Sequence, residues 1–290
     1  MDYCKFFKEI DLCGEGVATF FKIHTKISDS DFKKSLYDGY DAFCKGNECF
    51  EKFVLEFAAR EGFPAEEMHL YLTVIYAEAA YGLMKARGIP EEHFYRSFKD
   101  VARNCKKQID ETGIAGLEMF ELPWFRYSIE ANIYLLGRLQ FQVAKSEYDY
   151  KIDGCEIKKG DTVLFVHVPG SDPLTEEACS AAYGMALDFF GKYYGMEKLI
   201  CFCYSWLLQP WVEDVLAPTT NIIKFKKTFE LIETNRSIPH TFRFIFKEQS
   251  DNFDDYPTDN SLRRTAVERA KRGDLVGYGV GVRVVTSSNF

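Results

Sequence analysis

No C-x-x-C pair, G-x-G-x-x-G turn, G-x-x-x-x-G-K-[ST] loop, H-E-x-x-H pair or G-x-S-x-G elbow occurs in this chain of 290 residues. These absences leave dinucleotide, P-loop, zinc-protease and serine-hydrolase chemistry without support. The cysteines, nine in all at 4, 13, 44, 49, 105, 155, 179, 201 and 203, have the spacing of neither a disulfide framework nor a zinc site. They are expected to be reduced, and most of them to act as small buried hydrophobes. Long apolar runs are missing too. Met68 to Met84 is interrupted by Glu78 and falls short of the about 20 residues that a spanning helix needs. The opening Met1-Asp2-Tyr3-Cys4-Lys5 lacks the basic and apolar regions of a signal peptide. These features predict a cytoplasmic protein with no membrane partner and no metal. Basic charge is in deficit, 36 Lys plus Arg against 44 Asp plus Glu, and a formal charge of -8 repels a phosphate backbone. No nucleic-acid partner is expected.

Core-forming side chains are abundant: 47% of the residues are hydrophobic, with 26 Phe and 17 Tyr, which excludes a largely disordered chain. The length suits two domains of ordinary size. Up to residue 136 the apolar spacing is helical, with Phe50, Phe53, Val54 and Phe57 on one stripe and Met68, Leu72, Ile75, Ala79 and Leu83 on another. Gly62-Phe63-Pro64-Ala65-Glu66-Glu67 and Gly88-Ile89-Pro90-Glu91-Glu92 each read as a helix stop followed by a helix start. Trp124 to Leu136 is predicted as the last helix. His24, His69 and His93 stand alone in this half, without the partners that a catalytic histidine needs.

At Gly137 the period changes from 3.6 to 2, because Leu139, Phe141 and Val143 alternate with Gln140, Gln142 and Ala144. Tyr148 to Gly160 reads as turns, and the nearly continuous apolar run Thr162 to Val168 reads as a central strand. Thr175 is a suitable N-cap for a helix whose face is Ala178, Ala181, Ala182, Met185 and Phe189. Leu199 to Tyr204 is the next strand, followed by a short helix broken at Pro210. Ile222 to Leu231 and Thr241 to Phe246 are predicted as strands, Ser261 to Arg272 as a helix, and Val276 to Val285 as a final strand. The resulting order is mixed, one βαβ crossover followed by an antiparallel pair.

Several segments of this half carry a resemblance: Gly137-Arg138-Leu139-Gln140-Phe141, His167-Val168-Pro169-Gly170-Ser171-Asp172-Pro173-Leu174-Thr175, Cys203-Tyr204-Ser205-Trp206-Leu207-Leu208, Asn221-Ile222-Ile223-Lys224-Phe225 and Ser261-Leu262-Arg263-Arg264. Together they resemble bacterial acyltransferase-domain proteins with a helical N-terminal domain and a GNAT-like C-terminal domain. The resemblance implies an α/β fold, with an all-helical domain over residues 1–136 and a GNAT-like mixed-sheet domain over residues 137–290. It also implies an acyl-CoA cleft where the strand at Val163 to Val168 splays from the strand at Leu199 to Tyr204. The implied activity is transfer of an acyl group from acyl-CoA to a small-molecule amine acceptor.

The family pattern cradles the pyrophosphate of CoA with backbone N–H groups in a glycine-rich turn at a helix N-terminus. Here the matching loop, Pro169 to Thr175, has one glycine and two prolines, which donate no N–H, and it is flanked by Asp172, Glu176 and Glu177. Gly170, Ser171 and Thr175 are its candidate binding residues. Between residues 221 and 247 six bases, Lys224, Lys226, Lys227, Arg236, Arg243 and Lys247, outnumber Glu230 and Glu233. From these, Lys224, Lys226 and Arg243 are the candidate phosphate contacts, although such charge also suits a solvated face.

Amine acylation needs a proton acceptor and a donor for the developing oxyanion or thiolate. His167 interrupts an apolar strand near its C-terminal end, and an imidazole pKa near 6.5 suits proton transfer at neutral pH. The alternative for His167 is a core histidine. Period 2 puts Cys203 and Ser205 on one face of the next strand, where Ser205 is either a donor or a cap for the following helix. Cys203 as a nucleophile, with His167 as its base, would give an acyl-enzyme, but its apolar surroundings raise a thiol pKa. Glu130 is a further possible base. A third reading is a GNAT-like ligand-binding or assembly module without catalysis.

Overall fold

Helices fill the first half, and the glycine and proline punctuation marks their ends. They are α1 (Tyr3–Ile10), α2 (Gly14–Lys26), α3 (Asp31–Asp38), α4 (Tyr40–Cys44), α5 (Glu48–Glu61), α6 (Ala65–Ala86), α7 (Glu91–Thr112) and α8 (Leu122–Ile129). The computed structural model describes residues 1–28, 30–119, 122–170, 172–246 and 250–289. Gly62 ends α5 in the left-handed region at φ 76°, which costs a residue without Cβ little, and Pro64 precedes the first turn of α6. Helix α6 is the centre of this half. Its residues Met68 to Ala77 are all buried, and it packs on α2, α5, α7 and α8. A hydrophobic side chain buried this way contributes about 1.5–3 kcal/mol, so this apolar stretch holds the helices of the half together. Phe6, Phe7, Phe20, Phe94 and Phe98 close the core on the α1 side through tilted and edge-on ring contacts. The predicted last helix is shorter than its pattern: α8 stops at Ile129, and Ile133–Leu136 is a strand, β1. Four apolar residues in a row carry no period, and pairing within the sheet decides their state.

The second half contains β2 (Leu139–Lys145), β3 (Tyr150–Ile152), β4 (Cys155–Ile157), β5 (Thr162–His167), α9 (Glu176–Tyr194), β6 (Leu199–Ser205), α10 (Asn221–Lys226), β7 (Glu230–Thr234), α11 (Ile238–Phe246), α12 (Ser261–Arg272) and β8 (Gly279–Val285). By its contacts the chain divides into Met1–Leu135 and Leu136–Phe290. The sheet order is β1-β2-β5-β6-β8-β7, and β3 and β4 form a separate hairpin in the segment predicted to be turns. β5 and β6 run parallel, joined by the crossover helix α9, whereas β2/β5, β6/β8 and β7/β8 are antiparallel.

α9 begins at the expected cap, where Thr175 Oγ1 accepts from Ala178 N at 3.2 Å. Its buried face is Cys179, Ala182, Tyr183, Ala186, Phe189 and Phe190; Met185, predicted to be inside, is 49% exposed. The large rings of Tyr183 and Phe190, which pack edge-on to Phe141, draw the inward face round from Ala181 and Met185 to Tyr183, Ala186 and Phe190. Two predicted strands are helices. Residues 222–231 form α10 and only then enter β7, and Thr241–Phe246 lies in α11. In α11, Ile238, Phe242, Ile245 and Phe246 fall at i, i+4, i+7 and i+8. That stripe packs into a second core with Trp211, Val212, Tyr256, Ala266, Val267 and Ala270. The alternating glycines that lead into the final strand are packing devices. A Cβ on Gly277 would sit 2.2 Å from the Asn235 carbonyl oxygen, and one on Gly279 would sit 2.9 Å from Leu208 backbone.

Candidate functional site

The ladder between β5 and β6 pairs Leu164 with Cys201 and Phe165 with Phe202, and it ends there. Past that point β5 remains paired to β2, through His167–Gln140, and β6 remains paired to β8, through Ser205–Gly279. The two adjacent parallel strands therefore lose each other while keeping their outer partners, so the sheet opens between their C-terminal ends. Open α/β sheets bind ligands at that end of the strands. Helix α9 leaves β5 through residues 168–175, which places its N-terminus at the same end.

Register and the period of 2 assign the faces. Leu164, Val166, Cys201, Cys203 and Ser205 share the face covered by α9, and Phe165, His167, Phe202 and Tyr204 share the opposite one. His167 and Cys203 are thus not brought together. The Cys203 side chain is 1% exposed, and burial pushes its thiol up to about 12, so neither base nor thiolate is available for an acyl-enzyme there. Ser205 Oγ accepts from Leu207 N at 3.2 Å, the cap of the 3₁₀ turn Trp206–Leu208. His167 Nε2 lies 2.8 Å from Gln142 Oε1. A carbonyl oxygen only accepts, so the proton sits on Nε2 and Nδ1 is the acceptor nitrogen of the ring. Burial lowers the imidazole pKa to about 4, well below the value near 6.5 expected for it, and the ring is neutral at pH 7.

The candidate phosphate contacts separate in space. Gly170 is exposed with open space beside it, Thr175 caps α9, and Lys224 reaches Glu176 in the first turn of α9, Nζ–Oε2 3.3 Å. Thr175 and Lys224 thus meet the first turn of α9, and Gly170 lies in the loop ahead of it. Lys226 instead pairs with Glu213 in a cavity of about 210 Å³ lined by Leu208, Lys227, Phe229, Leu231 and Gly281. Arg243 lies on α11, which packs on α12. Ser171 and Lys247 lie outside the described residues. Glu130 belongs to the helical unit, its carboxyl pKa raised by burial. In the same unit His69 is buried with Nδ1 3.2 Å from the Leu117 carbonyl, and His24 Nδ1 is 3.1 Å from Tyr71 Oη. Among the described residues no group of three or more His, Cys, Asp or Glu could hold a metal, and no helix is long and apolar enough to cross a membrane.

Two residues of this region were not signalled by the sequence. Tyr204 follows Cys203 on the His167 face; its hydroxyl is buried, and burial raises its pKa to about 12. Arg138, in the turn between β1 and β2, holds the loop ahead of α9 through the carbonyls of Asp172 and Pro173. A single arginine in a turn has no periodicity or spacing to mark it, because its partner lies 34 residues away.

A mixed sheet that opens between neighbouring parallel strands, with a capped crossover helix leaving the first of them, is that of a GNAT-like domain. The chain belongs to this family: residues 133–283 match the GNAT-like C-terminal domain, and residues 1–131 match the N-acyltransferase N-terminal domain. Among solved structures, the fold is similar to an acyltransferase in complex with decanoyl-CoA and teicoplanin, at 20% identity over 97% of this chain and 86% of that one, TM-score 0.72. It is also similar to an acyltransferase mutant in complex with octanoyl-CoA, at 20% identity over 96% of this chain and 86% of that one, TM-score 0.70. A third, an acyltransferase in complex with CoA and 10C-Teicoplanin, is 24% identical over 76% of this chain and 66% of that one, TM-score 0.63. At these identities the likeness is one of fold. No curated protein matches the chain.

Proposed function

We propose that this chain is an acyl-CoA-dependent N-acyltransferase that passes the acyl group directly to an amine, with residues 1–136 and 137–290 as its two functional domains. The observation that carries the reading is the opening between β5 and β6 beside the α9 N-terminus, within a chain of the GNAT-like family. In the reaction the amine nitrogen attacks the thioester carbonyl, the C–N bond forms, the C–S bond breaks, and CoA leaves as its thiol after a net proton transfer from the amine. His167 is the residue that we assign to the attacking amine. With a pKa of about 4 it accepts a hydrogen bond in its neutral state rather than storing a proton, so the acceptor has to arrive as a free amine, and its proton passes by way of solvent to the departing CoA sulfur. Gly170, Thr175 and Lys224 are assigned to the donor side. The solved acyltransferases in complex with decanoyl-CoA and teicoplanin support a small-molecule acceptor and an acyl chain longer than acetyl.

Calorimetry with CoA, acetyl-CoA and decanoyl-CoA tests the reading first. Saturable binding of an acyl-CoA, followed by turnover with a primary amine, is the expected result. Absence of binding by all three would sink it, and binding without turnover over a broad amine panel would favour the non-catalytic module. For His167→Gln we expect kcat to fall by about 10²-fold with CoA affinity nearly intact.

A further inference from the structure

Six cations of the sheet domain are paired with acids by the fold. Lys224 pairs with Glu176, Lys226 with Glu213, Arg263 with Asp259, Arg269 with Asp214, Lys271 with Asp254 and Arg272 with Asp274. Two arginines of the sheet domain are in a different state. Arg138 donates from Nε to the Pro173 carbonyl at 3.1 Å and from Nη2 to the Asp172 carbonyl at 2.5 Å, while its Nη1 is buried and has no hydrogen-bond partner among the described residues. Arg283 stands on β8 opposite Cys201, hence on the α9 face, with its guanidinium carbon 4.3 Å from the centroid of the Tyr183 ring. Among the described residues it has no hydrogen bond, and neither arginine has a carboxylate within ion-pair distance. Tyr183 is itself fully buried, with a hydroxyl that has no partner.

Both guanidiniums lie along α9, Arg138 at the carbonyls of Asp172 and Pro173 just ahead of the helix and Arg283 over the ring of Tyr183 on its buried face. Both act on the thiol of Cys179, in the first turns of that helix, and both favour its charged form against the effect of burial. Tyr183, which Arg283 covers, is one turn further along the same buried face. A desolvated guanidinium N–H without a partner is costly, and an anion with several acceptor oxygens relieves it best, since the planar fork fits phosphate geometry. The loop from Pro169 to Thr175 cannot supply the usual cradle, because two of its residues have no N–H.

We infer that Arg138 and Arg283 bind the pyrophosphate of the acyl-CoA donor under the first turns of α9, in place of the glycine-rich backbone turn that this chain lacks. The inference rests on the acyl-CoA reading above. Arg138 has two parts in it: its Nε and Nη2 shape the loop, and its Nη1 meets the phosphate. Arg283 binds the anion without touching the loop.

The test is calorimetry on the full chain with CoA, 3′-dephospho-CoA and pantetheine, for wild type, Arg138→Met, Arg283→Met and Arg283→Lys. Both methionine variants should weaken CoA and 3′-dephospho-CoA about tenfold or more, with a shallower salt dependence, and should leave pantetheine unaffected. Arg283→Lys, which keeps the charge and loses the fork, should recover part of the loss. Arg283 is not bonded to the loop, so its variants carry the test if Arg138→Met loses its thermal transition. Wild-type affinity for CoA in both arginine variants would overturn the assignment and leave the acyl-CoA reading standing. A loss confined to CoA, with 3′-dephospho-CoA unchanged, would move the cations to the 3′-phosphate and overturn it as well. Failure of the wild type to bind any of the three would be a failure of the acyl-CoA reading itself.

Discussion

His167 is where an ordinary side-chain property and its folded value differ most usefully. Its folded pKa, about 4, lies below the unfolded value near 6.5 because burial disfavours the charged ring. The unfolded chain therefore binds the extra proton first on acidification. The stability this residue contributes is complete above pH 6.5 and is lost as the pH falls towards 4, by at most roughly 3 kcal/mol and by less where water reaches the ring. Acid unfolding of His167→Gln should lose that component, and NMR of the wild-type imidazole should show no inflection between pH 6 and 9. An inflection near 6.5 would mean a solvated ring and would restore the ordinary general base. Cys203 and Ser205 are the contrasting cases. Period 2 placed them correctly on one face, but that face lies across the sheet from His167. Cys203→Ala should keep most activity and cost about 1 kcal/mol through the lost sulfur contacts. A covalent acyl adduct on Cys203, seen by mass spectrometry, would contradict the direct mechanism.

Helix α9 combines a signal that is local with a consequence that is not. Thr175 caps its first turn through a bond to Ala178 N, so Thr175→Ala should cost roughly 1 kcal/mol in chemical denaturation and Thr175→Gly only a few tenths. Equal losses for the two substitutions would show that the hydroxyl has another role. The glycines of the last strand carry a similar test. Gly277→Ala has to displace the Asn235 carbonyl, 2.2 Å from the new Cβ, and should destabilise by about 1–3 kcal/mol, whereas Gly154→Ala meets no neighbour and is strained only by its φ of 72°. Elements 222–246 show the limit of reading period in short windows. Phe242, Ile245 and Phe246 satisfy either a strand rich in aromatics or a helical stripe, and the second core built with α12 decides for the helix.

Over the whole molecule, thiol chemistry and charge are the readable quantities. All nine cysteines are free, and the shortest recorded approach, Cys13 to Cys105, is a 4.0 Å contact between sulfurs. Titration of the denatured chain without reductant should therefore count close to nine thiols; five or fewer would contradict a reduced protein. Of the six bases that a count over residues 221–247 singles out, Lys224 meets Glu176 at α9 and Lys226 meets Glu213 instead, while Arg243 lies on α11. Arg138 and Arg283 belong to no cluster along the chain that would mark them. An ion pair is a relation between residues distant in the chain, and composition records only its two ends.

What the amino-acid sequence determines by itself is local. The change from period 3.6 to period 2 near residue 137, the helix ends at glycine and proline, the cap at Thr175 and the β5-α9-β6 crossover all follow from neighbours within a few turns. What only the tertiary structure decides is relational. The β5–β6 ladder stops at Phe165 and Phe202, which opens the sheet, and the register puts His167 and Cys203 on opposite faces. The fold also selects which cations keep unpaired donors. Each of these depends on pairing across the sheet or under a helix, where a shift of one residue reverses the outcome and no local pattern can record it.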